Sequence, residues 1–172
     1  MKNDLSLILI FSNRSNDLLN SYLDLLDIHG IEYKPRHFHI TIGCYENVDV
    51  EEFIEYTKQF LLNSSKFSLK CSLLGKFTTG CIAFIPYTSD CLNCFYKEFH
   101  EKFDDYADQW TRLSNESWIP HISMYSNKNE EFEKVHNILM DAMKPFEIDV
   151  IGAEVSIMKD DGFDMVYRYE FT

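Results

Sequence analysis

The chain has 172 residues and a mass of 20.3 kDa, the size of one domain or of two small lobes sharing a core. Hydrophobic residues make up 45% and charged residues 26%, which excludes wholesale disorder. With 16 Lys and Arg against 28 Asp and Glu, the net charge of -12 disfavours broad electrostatic binding to duplex DNA or to an anionic membrane.

The predicted elements begin with Leu5–Phe11, an apolar run too short to span a membrane and without a signal-peptide cleavage site. It reads as a buried strand. Ser15–Ile28 has helical spacing, with Leu18, Leu19, Tyr22, Leu25 and Leu26 on one stripe, and His29-Gly30 ends it. Phe38–Tyr45 is a strand and Val50–Leu62 a helix. Phe67–Gly75 and Gly80–Ile85 are strands joined across Phe77-Thr78-Thr79. Asp90–Tyr106 is a helix, Ile122–Ser126 a strand and Glu130–Met143 a helix stopped before Pro145. Phe146–Ile157 and Phe163–Phe171 close the chain around an Asp160-Asp161-Gly162 turn. The five cysteines are odd in number and no export signal precedes them, so reduced thiols in a cytoplasmic protein are expected.

This order nearly repeats. Strand, helix, strand, helix, strand runs over residues 5–75 and again over 81–157, with 163–171 as a closing strand. The offset is 76 at the first strand (81 − 5) and 79 at the last (146 − 67). An α+β chain of this size shows some such rhythm without any duplication. What lifts it is a shared phrase: His39-Ile40-Thr41-Ile42 in the first half and His121-Ile122-Ser123-Met124 in the second, 82 residues apart (121 − 39). Strand alternation sends Phe38, Ile40, Ile42 and Cys44 to one face and His39 and Thr41 to the other. In the second copy Ile122 and Met124 go inward, and His121, Ser123 and Tyr125 go outward. If the halves pack about a pseudo-two-fold axis, two imidazoles and two hydroxyls converge on one cleft. Displacement at phosphorus needs a base on the attacking oxygen and an acid on the leaving one, and histidine serves as either near neutral pH. The hydroxyls of Thr41 and Ser123 suit the non-bridging oxygens, where charge develops.

The paired His-x-Thr/Ser phrases resemble those of the two-histidine (2H) phosphoesterases, in particular the RNA 2′-5′ ligase and cyclic nucleotide phosphodiesterase branch. Trp118-Ile119-Pro120-His121 also fits, a proline often preceding the motif histidine there. The resemblance implies an α+β fold of two pseudo-symmetric lobes in one domain spanning residues 1–172. Antiparallel sheets would line a central cleft, with helices packed outside. It implies metal-free hydrolysis of 2′,3′-cyclic phosphates, with the 2′-phosphate as the favoured product, or cleavage and joining of 2′-5′ linkages. Residue by residue it makes His39 and His121 the acid/base pair and Thr41 and Ser123 the phosphate-binding hydroxyls. The sequence departs from the pattern where Phe38 replaces the proline, and where Tyr125 stands at a position that is basic in some relatives. The acidic balance favours a small nucleotide or an RNA end as partner, and a monomer is expected.

Other candidates surround this set. His37 would share the cleft rim. With His39 and His121 it would make the three imidazoles a catalytic zinc uses, but no fourth ligand is apparent, so no metal or cofactor is expected. Lys34, Arg36 and Arg168 supply charge for phosphate or are solvated. Residues 106–120 form a long connection with Trp110, Arg112 and Trp118, whose aromatics stack on a base or anchor the loop. Cys91-Leu92-Asn93-Cys94 reads as two ordinary thiols, His100 and His136 as packing or surface residues, and His29 as a helix end. Two alternatives stay open: hydrolysis of another small cyclic or 2′-5′-linked nucleotide, and a nucleotide-binding module without turnover.

Overall fold

The structure is a computed structural model describing residues 2–34, 37–127, 129–159 and 162–172. Arg36 and the Asp160-Asp161 part of the closing turn lie outside the described residues. The elements in chain order are β1 (Lys2–Phe11), α1 (Asn13–Ile28), β2 (His39–Asp49), α2 (Val50–Leu61), β3 (Phe67–Phe77), β4 (Cys81–Pro86), α3 (Asp90–Phe103), β5 (Ile122–Ser126), α4 (Phe132–Ala142), β6 (Phe146–Lys159) and β7 (Gly162–Glu170). Short 3-10 turns at Asp104–Tyr106 and Leu113–Asn115 break up the long connection before β5. This is an α+β fold, and no helix among the described residues is long and apolar enough to cross a membrane.

Local chemistry sets the helix ends. The Ser12, Asp49 and Ser89 side chains accept the otherwise orphaned first-turn N–H groups of α1, α2 and α3. After α1 the backbone turns at Gly30 with φ +70°, a conformation glycine adopts without steric cost. On α1 the buried residues Leu19, Tyr22 and Leu26 are on the expected stripe, Leu23 joins them, and Leu18 and Leu25 are only partly buried; on α3 Phe95, Tyr96 and Phe99 are buried as the spacing indicates. Phe53, Phe60, Phe95 and Phe99 interlock α2 with α3 through edge-on rings.

The strands form one antiparallel sheet in the order β2-β1-β6-β3-β4-β5, with β7 beside β6. Exchanging the halves (β1 with β4, β2 with β5, β3 with β6) returns the same order reversed. Each half therefore lends its last strand to the other. β6 lies beside β1, and β3 connects β6 to β4. β6 is long enough to serve β3 through Phe146–Val150 and β7 through Gly152–Lys159. A single sheet thus runs through both halves. The order ends on β2 at one side and β5 at the other, the strands that carry the repeated phrase, and these two edges come into contact.

Both edge strands carry a β-bulge just after the phrase's hydroxyl residue. On β2, Thr41 pairs with Ile8 and Gly43 with Leu7, leaving Ile42 unpaired. On β5, Ser123 pairs with Ala83 and Tyr125 with Ile82, leaving Met124 unpaired. A bulge adds one residue and reverses the alternation beyond it. Two expectations are corrected by this. Tyr125 does not face the cleft: it is 2% exposed, opposite the core residue Ile82, with its hydroxyl bonded to Asn129. Cys44 does not face the core; Tyr45 takes that place, fully buried, and Cys44 is half-buried on the other side.

Candidate active site

His39 and Thr41 stand two apart on β2 before its bulge, so they share a face. His121 immediately precedes β5, and Ser123 lies on it. The two imidazoles are held in the same way. His39 Nδ1 lies 2.6 Å from the His37 carbonyl oxygen, and His121 Nδ1 lies 2.8 Å from the Ile119 carbonyl oxygen. A carbonyl only accepts, so Nδ1–H donates in both rings, and in the neutral form each Nε2 keeps its lone pair for another partner. Phe77 packs against the His121 ring at a centroid distance of 4.7 Å.

The two edges meet around a cavity of about 230 Å³ whose walls include Thr41 and His121, together with Phe77, Cys81, Trp110 and Trp118. Trp118 is the bridge across it. Its indole stacks on Tyr96 at 3.9 Å and an interplanar angle of 7°, and its Nε1–H donates to the Thr41 carbonyl at 2.9 Å. That is an anchoring role. Trp110 is 61% exposed at the same cavity and remains free to stack. Ser123 is reached through Cys81, whose Sγ lies 3.4 Å from the serine Oγ. Burial, helped by Asp108, pushes the Cys44 thiol up to about 12, so it is an uncharged group.

Burial lowers the pKa of His39 from the ordinary 6.5, and the charges of His37 and His121 add to this; the hydrogen bond to the His37 carbonyl and the charge of Glu154 oppose it. The two rings therefore lie within electrostatic range of each other.

His37 sits at the rim with a side chain 59% exposed, but its Nε2 is engaged by Glu154 Oε2 at 2.8 Å. Arg168 is also committed, to Glu154 at 3.0 Å and Glu170 at 3.1 Å. Arg112 is spent on the carbonyls of Asp105 and Ala107, holding the connecting loop. Lys34 borders a separate depression beside Tyr125. His100 is a packing residue, fully buried, its Nε2 bonded to the carbonyl of the bulge residue Ile42 at 3.0 Å. Cys91 and Cys94 are exposed free thiols. Among the described residues no three His, Cys, Asp or Glu side chains are placed to hold a metal ion. Sequence reasoning passed over Glu154, Cys81 and the Phe77-Thr78-Thr79 turn as parts of this region. A lone carboxylate within the apolar stretch Val150–Val155 was the available signal for Glu154.

No protein-family model matches the sequence, and no curated protein matches it; the likeness is one of structure. Escherichia coli LigT, solved with 3′-AMP, superposes with a TM-score of 0.64 at 12% identity, covering 100% of this chain and 99% of LigT. TT0787 of Thermus thermophilus gives 0.60 at 13%, covering 99% and 98%, and Kluyveromyces marxianus Usb1 gives 0.50 at 12%, covering 99% of each. A structure described as a phosphoesterase gives 0.62 at 11%, over 100% of this chain and 99% of its own. The chain therefore shares the fold of these proteins over its full length.

Proposed function

We propose that the protein is a metal-independent phosphodiesterase that opens 2′,3′-cyclic phosphates of nucleotides or RNA ends, with His39 and His121 as the acid/base pair. One observation carries this reading. Two imidazoles are fixed alike through Nδ1 on two carbonyls and sit at matched positions of two bulged strands that touch, each two residues before a hydroxyl, and Thr41 of one pair and His121 of the other line one cavity. The neutral Nε2 of one ring takes a proton from water as the water oxygen attacks phosphorus. The bond from phosphorus to the 3′ oxygen breaks, and the other ring, protonated, gives its proton to that oxygen. The product carries a 2′-phosphate and a 3′-hydroxyl. Thr41 and Ser123 donate to the non-bridging oxygens. A 5′-hydroxyl in place of water turns the same chemistry toward 2′-5′ linkages. Trp110 offers its exposed ring to the base. The nucleotides solved with LigT (3′-AMP, ATP and NADP+) support a nucleotide as the ligand class.

The test is incubation with the four 2′,3′-cyclic nucleoside monophosphates in the presence of a chelator, with products identified as 2′- or 3′-phosphates. His39→Ala and His121→Ala are each expected to lower kcat by about 100-fold or more while leaving the fold intact. Absence of turnover by the parent on all four, with nucleotide binding retained, would replace this reading by that of a binding module.

A further inference from the structure

The two carbonyls that fix the imidazoles are themselves held by different means. In the second half the acceptor is Ile119, followed by Pro120. Proline fixes its own φ and restricts the residue before it, so covalent geometry places the Ile119 carbonyl. In the first half the acceptor is His37, followed by Phe38, and neither residue belongs to a helix or strand. There the tie is a side chain. His37 Nε2–H donates to Glu154 Oε2 at 2.8 Å, and the other carboxylate oxygen takes Arg168 at 3.0 Å. Glu154 is 5% exposed on the shared strand β6. A carboxylate buried to that degree is costly to leave unpaired, so it grips its partners.

The register shows that this device belongs to one half only. Across the sheet Thr41 lies opposite Ile8, and Ile8 opposite Glu154. The matching row of the other half runs from Ser123 to Ala83 to Gly75. Where the proline is present the carboxylate position is a glycine; where the proline is missing, a buried glutamate stands. We propose that Glu154, acting through the His37 side chain, is a positioning residue for His39. It fixes the carbonyl that selects the Nδ1–H tautomer, and so does for the first half what Pro120 does for the second. Arg168 holds the carboxylate in place. The role of His37 is then to link Glu154 to His39 rather than to touch substrate.

This inference rests on the phosphoesterase reading for its consequence in catalysis, but its first readout needs no turnover. Proton–nitrogen correlation spectra of the neutral imidazoles report tautomers directly. In the parent, His39 is expected as the single Nδ1–H form. His37→Ala should mix the two tautomers of His39 and leave His121 unchanged, and Pro120→Ala should do the reverse. His37 is exposed, so these comparisons are made on folded protein. His37→Gln, which carries an amide donor near the Nε2 position, should restore the single tautomer. On a 2′,3′-cyclic nucleotide, His37→Ala should lower kcat by about tenfold or more with KM within about threefold, and His37→Gln should recover most of it, the size expected when a catalytic group loses its alignment. An unchanged His39 tautomer in His37→Ala overturns the proposal. So does a loss of kcat that glutamine does not rescue, since the imidazole would then be acting on substrate itself. If the parent turns over no cyclic nucleotide while the tautomers behave as described, the positioning device stands and the substrate reading falls.

Discussion

Replacing Trp118 with Phe and with Ala separates two ways in which the connecting loop holds the cleft together. The indole hydrogen bond to the Thr41 carbonyl joins residues 77 apart in sequence, tying the second-half loop to the free edge of β2. Phe keeps a ring on Tyr96 and removes that bond. A net hydrogen bond is worth about 1 kcal/mol, and the Thr41 carbonyl is left facing a cavity that water enters, so the cost stays near that figure rather than rising to the ~3 kcal/mol of a dry orphan. For a domain of this size, 1 kcal/mol lowers the melting temperature by about 2–4 °C. Ala removes the stacked ring as well. The pair of rings adds about 1 kcal/mol and the half-buried indole area about 1 more, for a total of about 3 kcal/mol. Urea unfolding measures both steps. Cyclic nucleotide hydrolysis should fall more in Trp118→Phe than its stability does, because Thr41 sits on the tethered strand. Equal midpoints for parent and Phe variant, or equal loss in Phe and Ala, would refute the assignment of the indole N–H as the tether.

His121→Gln removes a positive neighbour that lowers His39, so the His39 titration followed by NMR should move upward, toward 6.5; a downward shift would contradict their shared site. His100→Ala leaves the Ile42 carbonyl and the Tyr45 hydroxyl without their buried partner and should cost about 2–4 kcal/mol in urea unfolding. For Asp104, burial raises the pKa, but hydrogen bonds from the Leu113 and Ser114 N–H groups and from His100 outweigh it, and the net shift is downward. A carboxylate lowered in the folded state stabilises above its unfolded pKa and loses that contribution as pH falls through the folded value. Asp104→Asn should therefore be less stable than the parent at pH 7, with the gap closing below about pH 4. Tyr125→Phe should leave kcat and KM unchanged, since its hydroxyl contacts Asn129 away from the cleft; a loss of activity would restore Tyr125 to the site.

Where structure is local, the sequence was readable. β5 spans Ile122–Ser126 as alternation indicates, and α1 stops at His29-Gly30 because a left-handed glycine is cheap there. Legibility ended at the bulges. Up to Thr41 and Ser123 the period of two assigns every side chain correctly; past them Cys44 and Tyr125 swap faces, and the extra residue is announced only on β2, by Gly43 within the strand, and by nothing in the composition of β5. The exchange of β3 and β6 between halves was also out of reach. Both strands show the same apolar pattern whichever neighbour they choose, so pattern fixes their existence and not their partners. Glu154 belongs to the same class. Its meaning depends on Ile8 and Thr41 lying in its row, a fact of register and not of spacing.

The register also bears on how so acidic a chain would hold a phosphate. The net charge of -12 repels polyanions at a distance, and Arg112 and Arg168 do not offset it locally: Arg168 is paired to Glu154 and Glu170, and Arg112 to backbone carbonyls. What remains there among the described residues is two hydroxyls and two imidazoles beside an exposed indole. Such a set recognises one phosphate at hydrogen-bond range and gains little from the phosphates further along a strand. Affinity should then depend weakly on salt and hardly rise with substrate length, whereas a protein that neutralises several phosphates loses orders of magnitude between about 50 and 200 mM salt. Comparing KM for a cyclic mononucleotide and for a ten-residue RNA ending in the same cyclic phosphate, at both salts, tests this. A KM for the RNA that is about tenfold lower at low salt, and steeply salt-dependent, would mean that a basic track along the strand exists after all.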